Sequence, residues 1–94
     1  MNRLLVALAT ASIFASATPA IAQEALAKSD GCLNCHAVDT KKMGPSFKDI
    51  AAKYKGKADA EAVLVEKIAD GKGHPKTKAS ADDAKSLVKW ILSQ

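Results

Sequence analysis

Arginine occurs once, at Arg3, and aromatic side chains occur four times in 94 residues. Domains that grip nucleic acid concentrate basic charge on one face. Here the formal net charge is only +4, with lysines and acids mixed along the sequence. A solvated surface is the simpler account of that charge, and nucleic acid is not an expected partner. Cysteine is limited to Cys32 and Cys35. A disulfide between them would close a tiny loop and constrain little of the unfolded chain. No apolar run reaches the roughly 20 residues that span a bilayer; the longest, Leu4 to Ala17, has 14. Alternating apolar and polar residues, the mark of a half-buried strand, are missing. So are internal repeats and low-complexity tracts.

What is present begins with an address. Met1-Asn2-Arg3 is charged, and the run that follows is interrupted only by Thr10, Ser12 and Ser16. Thr18-Pro19 breaks it, and Ala20-Ile21-Ala22 is an A-x-A cleavage pattern with the cut expected before Gln23. Residues 1–22 therefore read as a cleaved export signal, and no stable membrane anchor is expected. An uncleaved interfacial anchor fits the charged flank, run length and small-residue site less well. Residues 23–94 form one small domain. After processing it holds thirteen lysines and ten acids, a surplus of three. A chain this short rarely gains more than ~3–5 kcal/mol from an apolar core alone and usually needs a staple. With the cysteines too close together to serve, a bound cofactor is the better candidate.

The spacing of apolar residues predicts helices throughout. Glu24 to Asp30 is a short one ending at Gly31. Ser46 with Asp49 is a capping-box pattern, followed by Phe47, Ile50, Ala51 and Tyr54 on one face and Gly56 as the stop. Asp59 can cap a helix carrying Ala60, Val63, Leu64 and Ile68, stopped at Gly71. Ser80 with Asp83 repeats the cap before the clearest stripe, Ala84, Leu87, Val88, Ile91 and Leu92. Two stretches resist helix, Ala37 to Pro45 and Lys72 to Ala79. Each follows or contains one of the two histidines.

The sequence Gly31-Cys32-Leu33-Asn34-Cys35-His36 carries the chemistry. C-x-x-C can be a redox dithiol, but a thioredoxin-like motif belongs beside a βαβ pattern, and no strands are expected here. Cys32, Cys35, His36 and His74 could ligate zinc, yet zinc modules usually separate the ligands of each pair by two or more residues, and Cys35 and His36 are adjacent. C-x-x-C-H is also the attachment motif of c-type haem: two thiols bond the porphyrin and the next histidine binds the iron. The export signal and the deficient core both favour this third reading.

The run CHAVDTKKMGPSFKDIAAKYKGKADAEAVLVEKI and the closing SLVKWILSQ resemble the short bacterial class I c-type cytochromes of the periplasmic electron-donor type. The resemblance covers nearly all of residues 23–94. It implies an all-α, class I cytochrome c fold of about four helices wrapped around one covalently attached haem c. It implies thioether bonds from Cys32 and Cys35 and axial ligation by His36. It also implies a Pro45 carbonyl accepting from the His36 Nδ1–H, which would fix the ring and raise its basicity. Lys67 stands where the family places a basic residue near a haem propionate. Trp90, off the main stripe, would pack on the first helix near a small residue, Gly31.

One part departs from the family. The usual sixth iron ligand is a methionine in a W-G-x-x-P-M-P loop, and this chain has GKGHPKTKAS there. Met43 is expected to pack on the His36 side. His74 is the leading candidate for the sixth position, ahead of an open or water-bound iron and of Lys76 or Lys78. The function implied is that of a single-electron carrier between periplasmic redox proteins, a monomer and not an enzyme. The alternative is a haem-based binder or sensor of NO or CO with an open distal iron. Lys41, Lys42, Lys72, Lys76 and Lys78 gather in the two non-helical segments and are expected to steer an acidic redox partner.

Overall fold

The computed structural model describes residues 19–94; the apolar run of the expected export signal lies outside the described residues. Helix α1 spans Pro19–Ser29, α2 Phe47–Tyr54, α3 Ala60–Asp70 and α4 Ala81–Leu92, with a 3-10 turn at Cys32–Asn34 and no strand among the described residues. The all-helical expectation holds. The first helix differs from its predicted bounds. It includes Pro19 to Gln23, where the alanines favour helix. It thus runs across the expected cleavage point. It ends at Ser29, and Gly31 at φ 84° then turns the chain into the cysteine motif.

Helix α4 is the spine, packing on α1, α2 and α3. Its stripe explains this: Ala84, Leu87 and Val88 are inaccessible to solvent and Ile91 nearly so. Trp90 widens the buried face. It meets Phe47 edge-on, with ring centroids 5.2 Å apart at 69°, and lines a shallow recess with Ala20 and Gln23 of α1. It packs toward the first helix, as expected. Gly31 is a glycine because its backbone is left-handed, a conformation other residues enter at a cost.

Two caps form as the sequence predicts. Ser46 Oγ accepts from the Asp49 N–H and Ser80 Oγ from the Asp83 N–H, each at 3.1 Å. Such a cap contributes about 1 kcal/mol. Asp59 stands at the start of α3 without a side-chain cap bond. Its backbone, φ −96° and ψ 4°, is not the extended form that lets a capping side chain turn back over the first helical N–H groups.

Candidate functional site

The 3-10 turn brings the motif together. The N–H groups of Cys35 and His36 both donate to the Cys32 carbonyl, at 3.2 and 3.0 Å. Cys32 and Cys35 are free thiols, both half-buried. Burial pushes the Cys32 thiol up, and the neighbouring Asp30 carboxylate adds to this. A thiol held protonated is a poor redox nucleophile and a poor thiolate ligand. Among the described residues no three His, Cys, Asp or Glu side chains converge as a metal-ion cage.

His36 is fixed from several sides. Its Nδ1 lies 2.6 Å from the Pro45 carbonyl oxygen. A carbonyl only accepts, so Nδ1 carries the proton and Nε2 keeps its lone pair for a metal. The ring packs on Phe47, centroids 5.3 Å apart and 24° from parallel. Gly44 closes the other approach. A Cβ on it would overlap the imidazole, 2.8 Å from Nδ1 and 2.9 Å from Nε2. Gly44 N–H donates to the Cys35 carbonyl at 2.8 Å, and Phe47 N–H to Ala37 at 2.9 Å, so the segment is laced back onto the motif. The sequence marked Gly44-Pro45 as a turn with an acceptor. It carried no signal that the glycine itself lies against the ring.

His74 lies in the segment between α3 and α4, half-buried. Its Nδ1 lies 2.7 Å from the Pro75 carbonyl oxygen, so by the same logic its Nε2 also keeps a lone pair. The two imidazoles are within 7° of parallel, with centroids 6.1 Å apart. That separation is within the range of stacked rings, and it also matches two ligands of one metal. A metal–imidazole bond is about 2 Å and the ring nitrogen lies about 1 Å from the ring centre, so two imidazoles opposed across one metal stand roughly 6 Å apart. The spacing matches that figure, and each ring keeps Nε2 free of a protein hydrogen bond. Half-buried Leu33, Ile50, Val65 and Ile68 border the core and suit the apolar faces of a porphyrin.

The remaining predicted residues divide. Lys67 is half-buried, and its Nζ stands 3.5 Å from where a Cβ on Gly73 would be, beside the distal segment. Met43 does not pack on the His36 side. It is 85% exposed, because the Gly44 backbone already occupies the space against the ring. Of the five lysines, Lys42 Nζ donates to the Leu33 carbonyl at 3.0 Å and Lys72 pairs with Glu66 at 3.5 Å. Lys41, Lys76 and Lys78 are exposed.

Comparison with known proteins gives one answer. Residues 22–94 match the family described as "Cytochrome c". Cytochrome c-551 of Pseudomonas aeruginosa is 44% identical over 98 residues, covering 97% of this chain and 94% of the relative. Cytochrome c-552 of Nitrosomonas europaea is 45% identical over 76 residues, covering 72% and 74%. The crystal structure of that wild-type Nitrosomonas cytochrome is similar with a TM-score of 0.64 and 42% identity, over 74% of this chain and 96% of the other. The class 1 cytochrome MtoD of Sideroxydans lithotrophicus ES-1 gives a TM-score of 0.64 at 38% identity, over 78% and 92%.

Proposed function

The chain belongs to the cytochrome c family, and from that premise we propose how it does the family's work: as a mono-haem carrier of single electrons whose iron is held by His36 and His74. The covalent haem c, bonded through Cys32 and Cys35, supplies a reversible one-electron iron couple; the protein supplies the ligands, the burial and the docking face. His36 and His74 each donate Nδ1–H to a proline carbonyl. That bond fixes the ring and makes the opposite nitrogen a stronger donor. Two such donors favour the ferric state more than a methionine thioether does.

The observation that carries the reading is the pair of near-parallel imidazoles 6.1 Å apart. On this reading His74 would occupy the site where a small ligand binds, which weighs against the open-iron sensor. Lys67, beside the distal segment, is suited to pair with a haem propionate. The charged start, the apolar run and the A-x-A pattern support removal of residues 1–22 and work in the periplasm, where the chain would pass electrons between redox proteins as a monomer. No helix among the described residues is long and apolar enough to cross a membrane.

Protein made in a host with a c-type maturation system tests this. The ferric form should be low-spin, lack the far-red band of methionine-ligated relatives, and show a lower potential than they do; axial identity is one lever behind the ≈ 0.8 V spread of haem potentials. His74→Ala should keep the attached haem but become high-spin and open to added ligands. An unchanged spectrum in His74→Ala would remove His74 from the iron and move the open-site reading ahead.

A further inference from the structure

The segment that presents His74 is short and sparsely tied. Gly71 ends α3 in the left-handed region, φ 71°, and Ser80 caps α4. Among the described residues, the backbone–backbone hydrogen bonds outside the helices include none from Lys72 to Ala79. His74 itself bonds only to the carbonyl of its neighbour Pro75. One side chain supplies the missing attachment. The Thr77 hydroxyl donates to the Ile68 carbonyl at 2.7 Å and accepts from the Ala79 N–H at 3.2 Å. Ile68 lies in the last turn of α3, where carbonyls have no partner within the helix. Ala79 is buried in the core with Phe47, Leu87 and Trp90. A single hydroxyl thus joins the end of α3, the segment and the core.

The path around it leaves little slack. A Cβ on Gly71 would stand 3.3 Å from the His74 carbonyl oxygen and 3.3 Å from the Lys76 Cβ. The chain from His74 to Lys76 therefore folds back over the end of α3, and Thr77 pins it there.

We propose that Thr77 is a positioning residue for His74: its hydroxyl clamps the shortened segment to the end of α3, keeping the second imidazole opposite His36 and limiting how often it swings away. The proposal rests on the reading of His74 as the second axial ligand. It predicts that the clamp controls the rate at which an outside ligand replaces His74. Valine keeps the shape of threonine but can neither donate nor accept; serine can do both.

The test uses the holo-protein and carbon monoxide added to the reduced iron. Thr77→Val should keep a low-spin resting spectrum and bind carbon monoxide about three- to tenfold faster than wild type, the factor that one net hydrogen bond represents. Thr77→Ser should match the wild type. His74→Ala, run alongside, separates the two ideas. If it binds carbon monoxide at once while Thr77→Val keeps the wild-type rate, the clamp is wrong and the axial assignment stands. If His74→Ala behaves as wild type, the axial assignment falls and the clamp with it. Should Thr77→Val fail to fold, the wild type decides through hydrogen exchange of the Ala79 amide. Protection of about tenfold or more supports the clamp, and free exchange overturns it.

Discussion

The segment from Cys35 to Phe47 and the segment from Gly71 to Ser80 each present one imidazole, but they hold it differently. On the first, His36 bonds to a carbonyl nine residues away and its ring lies between Phe47 and the Gly44 backbone. The strand of chain around it is laced by backbone bonds to Cys35, Ala37 and Val38. On the second, His74 bonds to the adjacent residue and Thr77 carries the tie to α3. The first imidazole is fixed by tertiary structure and the second by local chain geometry. A ring held in the first way cannot move without disturbing the core. One held in the second way can swing away while the fold stays intact.

Glycine substitutions on the two sides should break this comparison most visibly. Gly44→Ala puts a methyl group into the His36 ring, with backbone on one side and an anchored imidazole on the other. Overpacking of this sort costs about 1–3 kcal/mol, and the iron spectrum should shift because the ring itself is pushed. Gly73 has φ 71°, and its Cβ would have only the mobile end of Lys67 nearby. Gly73→Ala therefore costs only the left-handed strain, roughly 1–2 kcal/mol, with faster ligand exchange at the distal position and no change at the proximal one. Denaturant midpoints and ferric spectra of the two variants check this. A spectral shift of equal size in both would erase the distinction.

The same contrast explains what was legible in the sequence. Helix spacing over α2, α3 and α4 and the Ser46 and Ser80 caps are local patterns, and each appears in the structure as read. The Pro45 acceptor was implied by resemblance to a family whose proximal segment this chain shares. The misses are features set by distant parts of the chain. Asp59 did not cap because a preceding turn fixed its backbone. The Phe47 partner of Trp90 was not read, because it lies on a different helix. Met43 was expected inside and points out, because nothing in its own neighbourhood says that Gly44 takes the space. His74 was identifiable as a ligand type but not as a placed one. Its segment is tied to α3 through the Thr77 hydroxyl, a contact that emerges only when α3 and the segment fold together.

The lysines sharpen the comparison from outside. Lys42 is tied to a carbonyl and Lys72 to Glu66, leaving Lys41 beside the proximal segment and Lys76 with Lys78 on the distal one as exposed ammonium groups. If the chain meets an acidic redox partner, the distal pair carries more of the steering. Lys76→Glu with Lys78→Glu should slow association several-fold at low salt, and Lys41→Glu with Lys42→Glu should slow it less. Both effects should shrink as the Debye length falls from about 8 Å at physiological ionic strength to about 3 Å at 1 M. Stopped-flow rates with a reduced partner at several salt concentrations measure this; rates independent of salt would reduce the lysines to a solubility role.

The smallest effect lies where the two regions meet. Asp30 precedes the cysteine motif, Asp83 opens α4, and Lys78 sits on the distal segment. Asp30 titrates above its ordinary 3.8, first because it is buried and then because the Asp83 carboxylate faces it, with Lys78 pulling the other way. One of its carboxyl oxygens is buried without a hydrogen-bond partner. A carboxyl that holds its proton more tightly folded than unfolded favours the native state when protonated. That contribution is fully present below the unfolded value and is lost as pH rises through the raised folded value. Asp83→Asn removes the like charge, so the Asp30 pKa should fall and the loss of stability with rising pH should flatten. The substitution also gives up a carboxylate in the first turn of α4, worth about 0.3–1 kcal/mol. Net stability at neutral pH should therefore hardly change. The decisive readout is the slope of stability against pH in the acidic range, with the Asp30 carboxyl followed by NMR. If that slope and the Asp30 titration are the same in both proteins, burial alone raises Asp30, and the proximal and distal sides are not coupled through this pair.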